Sequence, residues 1–384
     1  MKRIMKSAIV VLALSAMVAC GGEDKQVEVK NEIGIRWTEK KAQEWGAKQP
    51  WIVGANFNPS DASNQLDFWQ AETWNPELID KELGWAANIG MNTMRVYLHY
   101  FPFRDDKDAF LKRMDQFLDI SAKHNIKPMF IFFDDVWNPN PVAGKQPEPK
   151  AHLHNANWMQ SPGKDILWNP ERHDELKSYV QTILTRYKND DRVLLWDLYN
   201  EPQNTNDNAY HENGKGKEKF SMILLKKVFA WAREVNPSQP ISSAPWRDDW
   251  TKEENMTEFH KFMFDNSDII TYHNYADIAE FKKVSEPLKR YNRPMICTEY
   301  MARGNNSLFQ THLPYMAENN IGAINWGLVA GRSQTIYAWD SWEKEYTAEP
   351  ELWFHDIFRQ DGSVYSQEEV DLIKKLSSEK NGKN

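Results

Sequence analysis

The chain predicts an α/β fold, a single (β/α)8 TIM barrel, on three observations. From Trp51 onward, short apolar runs alternate with amphipathic segments, the pattern of parallel strands joined by crossover helices. Eight strand-like runs can be counted, and polar residues collect at their C-terminal ends, where such barrels assemble their sites. The roughly 350 residues that follow the N-terminal segment are long for an ordinary domain, suit one barrel, and are divided by no Pro/Gly/Ser-rich linker.

The first strand is Trp51-Ile52-Val53-Gly54-Ala55. A helix from about Pro76 to Ile89 follows, with Asn75 as N-cap, Pro76 at its first position, Ile79, Leu83 and Ala86 on one face, and Gly90 as its stop. Met91 to Leu98 is the second strand. Phe110, Met114, Phe117 and Ser121 line one face of the next helix, which leaves at Asn125 into a third strand, Ile126 to Phe133. After a long loop containing Pro and Trp, a helix with Leu176, Val180, Ile183 and Tyr187 on one face precedes the fourth strand, which begins near Val193 and ends at Glu201. Phe220, Leu224, Val228 and Trp231 mark a helix before a fifth strand near Pro240 to Ala244. Ile269 to His273 is the sixth strand, Pro294 to Glu299 the seventh and Ile321 to Trp326 the eighth. A doubly wound open sheet shares the alternation, but no Gly-rich phosphate loop follows the first strand to supply that fold's usual ligand site.

At the N-terminus Lys2, Arg3 and Lys6 precede an apolar stretch from Ala8 to Ala19 that is too short to span a bilayer, followed by Cys20 and Gly21-Gly22. Residues 1–19 read as a secretory signal. Met17-Val18-Ala19-Cys20 resembles a bacterial lipobox, with Met where Leu is usual, which implies Cys20 as a lipid-modified N-terminus. The alternative is an ordinary cleaved signal that contains a cysteine. With Cys20 acylated, Cys297 is the remaining thiol and no internal disulfide can form. Residues 20–35, polar and charged, then form a solvated tether to a domain spanning 36–384. The expected location is the cell envelope, anchored by lipid to the bacterial outer membrane on its periplasmic or surface face.

A net charge of −8 without a basic stripe argues against nucleic acid as a partner. The 17 tryptophans point to carbohydrate, because flat indoles stack on the C–H faces of sugar rings and a polar chain has limited core to hide them in. The chemistry centres on two acids. Asn200-Glu201-Pro202 places a carboxyl at the C-terminal tip of a buried strand, where it is costly without a role, and Glu299 ends the seventh strand just before Tyr300. Two strand-tip glutamates suggest a glycosidase. Around them fall Arg95 in the second strand, Asp134, Asp135 and Trp137 after the third, Trp246 after the fifth, His273 and Tyr275 at the sixth, and Trp326 at the eighth. His152 and His154 lack a third spaced ligand, so neither a metal nor another cofactor is expected. Cys297 is expected to pack beneath the site, since a thiol nucleophile would want a histidine base.

Taken together, Asn200-Glu201-Pro202, Tyr272-His273-Asn274-Tyr275, Thr298-Glu299-Tyr300 and Asn325-Trp326-Gly327 resemble glycoside hydrolase clan A, and within it the cellulase-type family 5 and its relatives. Trp196 to Pro202 and Thr335 to Asp340 also resemble bacterial proteins labelled β-1,4-xylanase or cellulase. The resemblance implies Glu201 as general acid/base, Glu299 as nucleophile, and Asn200 as a hydrogen-bond partner of a sugar hydroxyl. It implies that Arg95 keeps Glu299 ionised, that Tyr275 donates to the same carboxylate, and that Trp326 floors the sugar site. Asp134-Asp135-Val136-Trp137 stands where family 5 commonly has histidine, which leaves the contacts of the adjacent sugar site open; Arg95, Asn200, His273, Tyr275, Trp326, Trp137, Trp246 and Asp135 make up the expected substrate-binding set.

The expected activity is retaining hydrolysis of a β-linked polysaccharide or oligosaccharide by double displacement, for which two carboxyls about 5 to 5.5 Å apart are needed in opposite charge states. A surface glycan-binding lipoprotein on the same scaffold is the alternative, although it gives no reason to keep both glutamates. An unrelated barrel enzyme, a lyase or metal-dependent hydrolase, leaves the Asn-Glu-Pro and His-x-Tyr motifs unexplained. Mass spectrometry of the mature N-terminus is expected to find acylated Cys20; a free N-terminal residue in its place would overturn the lipobox reading.

Overall fold

The computed structural model describes residues 35–206, 209–210 and 214–382. The signal over 1–19, Cys20 and the 20–35 tether up to residue 34 lie outside the described residues. Ile33–Asn384 forms one compact unit. No helix among the described residues is long and apolar enough to cross a membrane.

Eight parallel strands form the barrel: β1 Val53–Phe57, β2 Thr93–Tyr97, β3 Lys127–Ile131, β4 Leu195–Asn200, β5 Ile241–Ala244, β6 Ile270–His273, β7 Met295–Tyr300 and β8 Gly322–Asn325. Ladders join them in the order β5-β4-β3-β2-β1-β8-β7-β6. The remaining seam, between β5 and β6, is closed by Asp268 N donating to Ile241 O at 2.9 Å and His273 N donating to Pro245 O at 3.0 Å. A principal helix follows each strand, from Pro76–Asn88 after β1 to Gln367–Asn381 after β8. The first has the predicted cap, Asn75 accepting from Leu78 N at 3.2 Å, and buries Ile79, Leu83 and Ala86 as the periodicity predicts. Gly54 is required by packing, since a Cβ there would come within 1.9 Å of the Thr93 carbonyl on β2.

The strands are shorter than their apolar runs. Ile52, Leu194 and Ile269 precede β1, β4 and β6 and join Met129, Leu195, Ile296 and Ile324 in an apolar plug at the barrel floor. Burying each such side chain stabilises the fold by about 1.5–3 kcal/mol. Trp45, on a helix Glu39–Ala47 that the sequence reading did not anticipate, packs against this plug. Register shifts interrupt the ladders between Asp197 and Asn200, Tyr272 and His273, and Cys297 and Tyr300. All three lie near the C-terminal ends of the strands, where a bulge re-aims side chains.

At the opposite end Asp268, fully buried, ties the N-terminal segment to the barrel. Its carboxylate accepts from Trp37 N at 2.8 Å, Ile241 N at 2.9 Å and the Arg233 guanidinium at 2.8 and 3.0 Å. Asp268→Ala leaves a cation and two amides without their acceptor and is expected to cost about 3–5 kcal/mol in urea unfolding. A loss below about 1 kcal/mol, the range of an exposed pair, would contradict that role.

Candidate active site

Directly above the apolar plug the barrel interior becomes polar. Arg95 projects inward from β2 with no exposure to solvent, and every nitrogen of its guanidinium is engaged. Nε and Nη2 donate to Asp197 Oδ2 at 3.1 and 2.7 Å, and Nη2 also donates to Asn200 Oδ1 at 2.7 Å. Nη1 donates to Asn56 Oδ1 at 2.8 Å, Tyr97 OH at 2.8 Å and Glu299 Oε1 at 2.7 Å. Glu299 at the tip of β7 is therefore held by donors on both oxygens: Tyr97 OH reaches Oε1 at 2.8 Å, and Tyr275 OH reaches Oε2 at 2.8 Å. A cation and two phenols around one carboxylate suit an anion.

Glu201 has different surroundings. It follows β4 with φ at +42°, a left-handed conformation that costs a non-glycine residue about 1–3 kcal/mol and is retained where the fold over-determines it. Oε2 accepts from Asn204 Nδ2 at 2.6 Å, and Oε1 shares a proton with His273 Nδ1 across 2.7 Å. Burial raises the Glu201 carboxyl to about 7, against the smaller opposing effects of the Asn204 hydrogen bond and the Arg95 and Arg247 charges. Burial likewise pushes His273 down to about 4, so its ring is neutral in that range. Oxygen atoms of Glu201 and Glu299 and a nitrogen of His273 all lie within 4.8 Å of one another. This trio could offer three ligands to a metal ion, but both oxygens of each carboxylate already face protein hydrogen-bonding partners, and the fixed Arg95 charge opposes a second cation.

A cavity of about 390 Å³ opens above the pair. Asn200, Glu201, His273, Tyr275, Glu299, Trp137, Trp246 and Trp326, all named from the sequence, line it. Asn200 keeps its orientation by donating from Nδ2 to Asp134 Oδ1 at 2.9 Å. Trp326 meets Tyr97 and Trp158 edge-on, with ring centroids 5.8 and 5.6 Å apart.

Two expectations are corrected. Asp135 does not face the cavity: fully buried, it accepts from Tyr199 OH at 2.7 Å, from Gln203 N at 2.7 Å and from the Ser221 hydroxyl, bracing the turn after β4. Its neighbour Asp134 points the other way and holds Asn200, because successive extended residues face opposite sides. Arg95 does not contact the cavity either, since its donors are spent inside the barrel, so it acts on Glu299 and not on a sugar.

Tyr97, Asn204 and Trp158 lie outside the sequence expectations, and Trp339, within the Thr335–Asp340 stretch, lines the cavity without a role expected for it. Tyr97 was accessible in principle, standing two residues from Arg95 on one strand and therefore on its face. Asn204 and Trp158 sit on loops whose path no local pattern gives. Cys297 is buried within β7, with its Sγ 3.3 Å from Glu299 O, and burial raises its thiol pKa, the opposite of what a nucleophile needs.

Residues 149–349 match the family model described as Glycosyl hydrolases family 2, TIM barrel domain. Among solved structures, a variant of GH5_18 from Streptomyces cattleya in complex with Manb1-4GlcNAc is 11% identical, with 88% of this chain and 82% of that one covered at a TM-score of 0.57. The exo-β-1,4-mannosidase from Opitutaceae bacterium strain TAV5 is 16% identical, with 85% of this chain and 59% of that one covered at a TM-score of 0.58. The β-1,4-mannanase from the sea hare Aplysia kurodai is 16% identical, with 72% of this chain and 88% of that one covered at a TM-score of 0.51. At these identities the likeness is one of fold. A search among curated proteins gave no match.

Carbon-13 NMR of protein labelled at glutamate carboxyls is expected to show Glu201 titrating near pH 7, alongside Glu82, which burial also raises to about 7. Glu201→Gln should remove one of these late transitions; its persistence in full would contradict the assignment.

Proposed function

Since the chain belongs to the family of the glycosyl hydrolases family 2, TIM barrel domain, and is a clan A glycoside hydrolase, we propose that it hydrolyses β-linked glycans with retention of configuration. The observation that carries this reading is the carboxylate pair: oxygens of Glu201 and Glu299 approach within 4.8 Å, one acid raised by burial and the other wrapped in donors. An inverting pair would stand about 6.5–9.5 Å apart to admit a water between sugar and base.

In the first step protonated Glu201 gives its proton to the glycosidic oxygen while Glu299 attacks the anomeric carbon. The bond from that carbon to the leaving oxygen breaks and a bond to the Glu299 carboxylate forms. In the second step ionised Glu201 takes a proton from water, the water oxygen bonds to the same carbon, and Glu299 departs as carboxylate. Asn200 is placed to hold a hydroxyl beside that carbon, and Trp326 offers an apolar face to the ring. Because titles among the structural relatives name β-1,4-mannan-acting enzymes and a Manb1-4GlcNAc complex, β-mannosides head the substrate panel, followed by β-glucan, xylan and galactan. We further propose attachment to the envelope membrane through lipid on Cys20.

Glu201→Gln and Glu299→Gln are each expected to lower kcat on natural glycan by roughly 10²–10⁴-fold or more with the fold intact. On an activated aryl glycoside Glu201→Gln should spare the first step and slow the second, whereas Glu299→Gln should abolish both. Wild-type activity should fall as pH rises through about 7, where Glu201 loses the proton it must donate. Time-resolved proton NMR should show the β-anomer first; an initial α-anomer, or near-normal turnover in either variant, would sink the assignment.

A further inference from the structure

Resting on that reading, we propose that Lys217 is a positioning residue for the acid: its buried ammonium clamps the strained turn that carries Glu201 and so fixes where the proton is delivered. Lys217 opens the helix Lys217–Val235 and has no exposure to solvent. That place is unfavourable for a cation on two counts. Burial removes its water, and the start of a 19-residue helix already carries partial positive charge, with no side chain capping it.

What answers the ammonium is main chain beyond the tips of two neighbouring strands. Nζ donates to Asp135 O, after β3, at 2.7 Å and to Asn204 O, after β4, at 2.7 Å, and it lies 3.7 Å from the Asp135 carboxylate. Asp135 in turn accepts from Gln203 N at 2.7 Å and from the hydroxyl of Ser221, one turn further along the same helix. A single buried ion pair thus holds the segment 201–206 at two adjacent residues, Gln203 and Asn204.

That segment needs holding. Glu201, Gln203 and Asn206 take φ values of +42°, +80° and +46°, left-handed conformations that persist where the surroundings over-determine them. Within the turn Asn204 passes the restraint on. Its N–H donates to Glu201 O at 3.0 Å, its Nδ2 donates to Glu201 Oε2 at 2.6 Å, and its Oδ1 accepts from Asn206 N at 3.0 Å. The residue whose carbonyl Lys217 grips is therefore the one whose side chain aims the acid. Glu201 Oε1 faces His273 Nδ1 at 2.7 Å, so the carboxyl is held at both oxygens only while Asn204 keeps its place. None of these hydrogen bonds reaches Glu299, whose donors are Arg95, Tyr97 and Tyr275. Loosening the turn thus disturbs the acid and leaves the nucleophile in its setting.

The test uses the full chain and, for whichever of the β-mannoside, β-glucoside, β-xyloside and β-galactoside is cleaved fastest, two leaving groups. Dinitrophenolate departs without a proton, whereas a sugar alkoxide needs one, and kcat/KM reads the first step for both. Lys217→Met, which keeps the apolar stem and removes the charge and its donors, should lower kcat/KM for the sugar leaving group by about 10–100-fold more than for dinitrophenolate. Ser221→Ala, which takes one donor from Asp135 and leaves the ion pair in place, should show the same bias at about 3-fold. Arg233→Met removes a buried cation paired with Asp268 at the opposite end of the barrel and should lower stability to urea with no bias between the substrates. Equal losses on both leaving groups in Lys217→Met, or the same bias in Arg233→Met, would overturn the proposal. If Lys217→Met does not fold, an unbiased Ser221→Ala overturns it instead. Glu201→Gln sets the scale: absence of bias in that variant, or inertness of the wild type toward every glycoside, would overturn the hydrolase reading beneath the proposal and not the clamp alone.

Discussion

The fixed positive charge of Arg95 at the centre of the barrel is the constraint on which the rest of the site depends. A guanidinium with no exposure to water is unfavourable unless each of its donors is answered, and the answers come from β1, β2, β4 and β7 at once. Asn56, Tyr97, Asp197, Asn200 and Glu299 are thereby fixed relative to one another before any substrate arrives. Asp197 and Glu299 together bring two carboxylates to one cation, so the cluster offers Glu299 a strong partner without making the site cationic. Glu201, one step further from that charge, is left to the effect of its own burial. The contrast between the two carboxyls, one ringed by donors and the other raised by burial, therefore arises from position in a shared barrel and not from two separately built environments.

Much of this order is written locally in the chain. Apolar runs place the eight strands in sequence, Asn75-Pro76 marks a helix start, and the two strand-tip glutamates announce themselves by standing where a buried strand ends. Strand ends were less legible, because Ile52, Leu194 and Ile269 are as apolar as strand residues but serve to fill the floor. Asp134 and Asp135 were indistinguishable in sequence; which of them turns inward is settled by the backbone path beyond β3, where one holds Asn200 and the other braces the turn carrying Glu201. The join between the β3 and β8 loops links residues nearly two hundred positions apart, as Asn155 and Ser333 show, and pairing of that kind leaves no periodic trace.

The division of labour within the chain is also spatial. The segment matching the family model, residues 149–349, contains both glutamates, His273, Tyr275 and Trp326, whereas Arg95, Tyr97 and Asn56 come from the strands before it. Barrel closure brings the two parts together, and the loops above them decide what the shared chemistry meets. Aromatic rings dominate that upper layer: Trp137, Trp158, Trp326 and Trp339 contribute broad contact with few rotatable bonds, so a pocket built from them loses little freedom on filling.

Cys297 carries a consequence of a different kind. It is the free cysteine among the described residues, a member of the same strand as Glu299 and buried in the main hydrophobic core, with its sulfur turned toward that residue's carbonyl. Fully buried within β7, it is out of reach of alkylating reagents until the packing around that strand opens. The thiol is therefore a built-in clock for the packing around β7: the rate at which it is labelled in native buffer reads how often the core behind the Glu299 strand opens, with no probe introduced and no residue of the cavity changed.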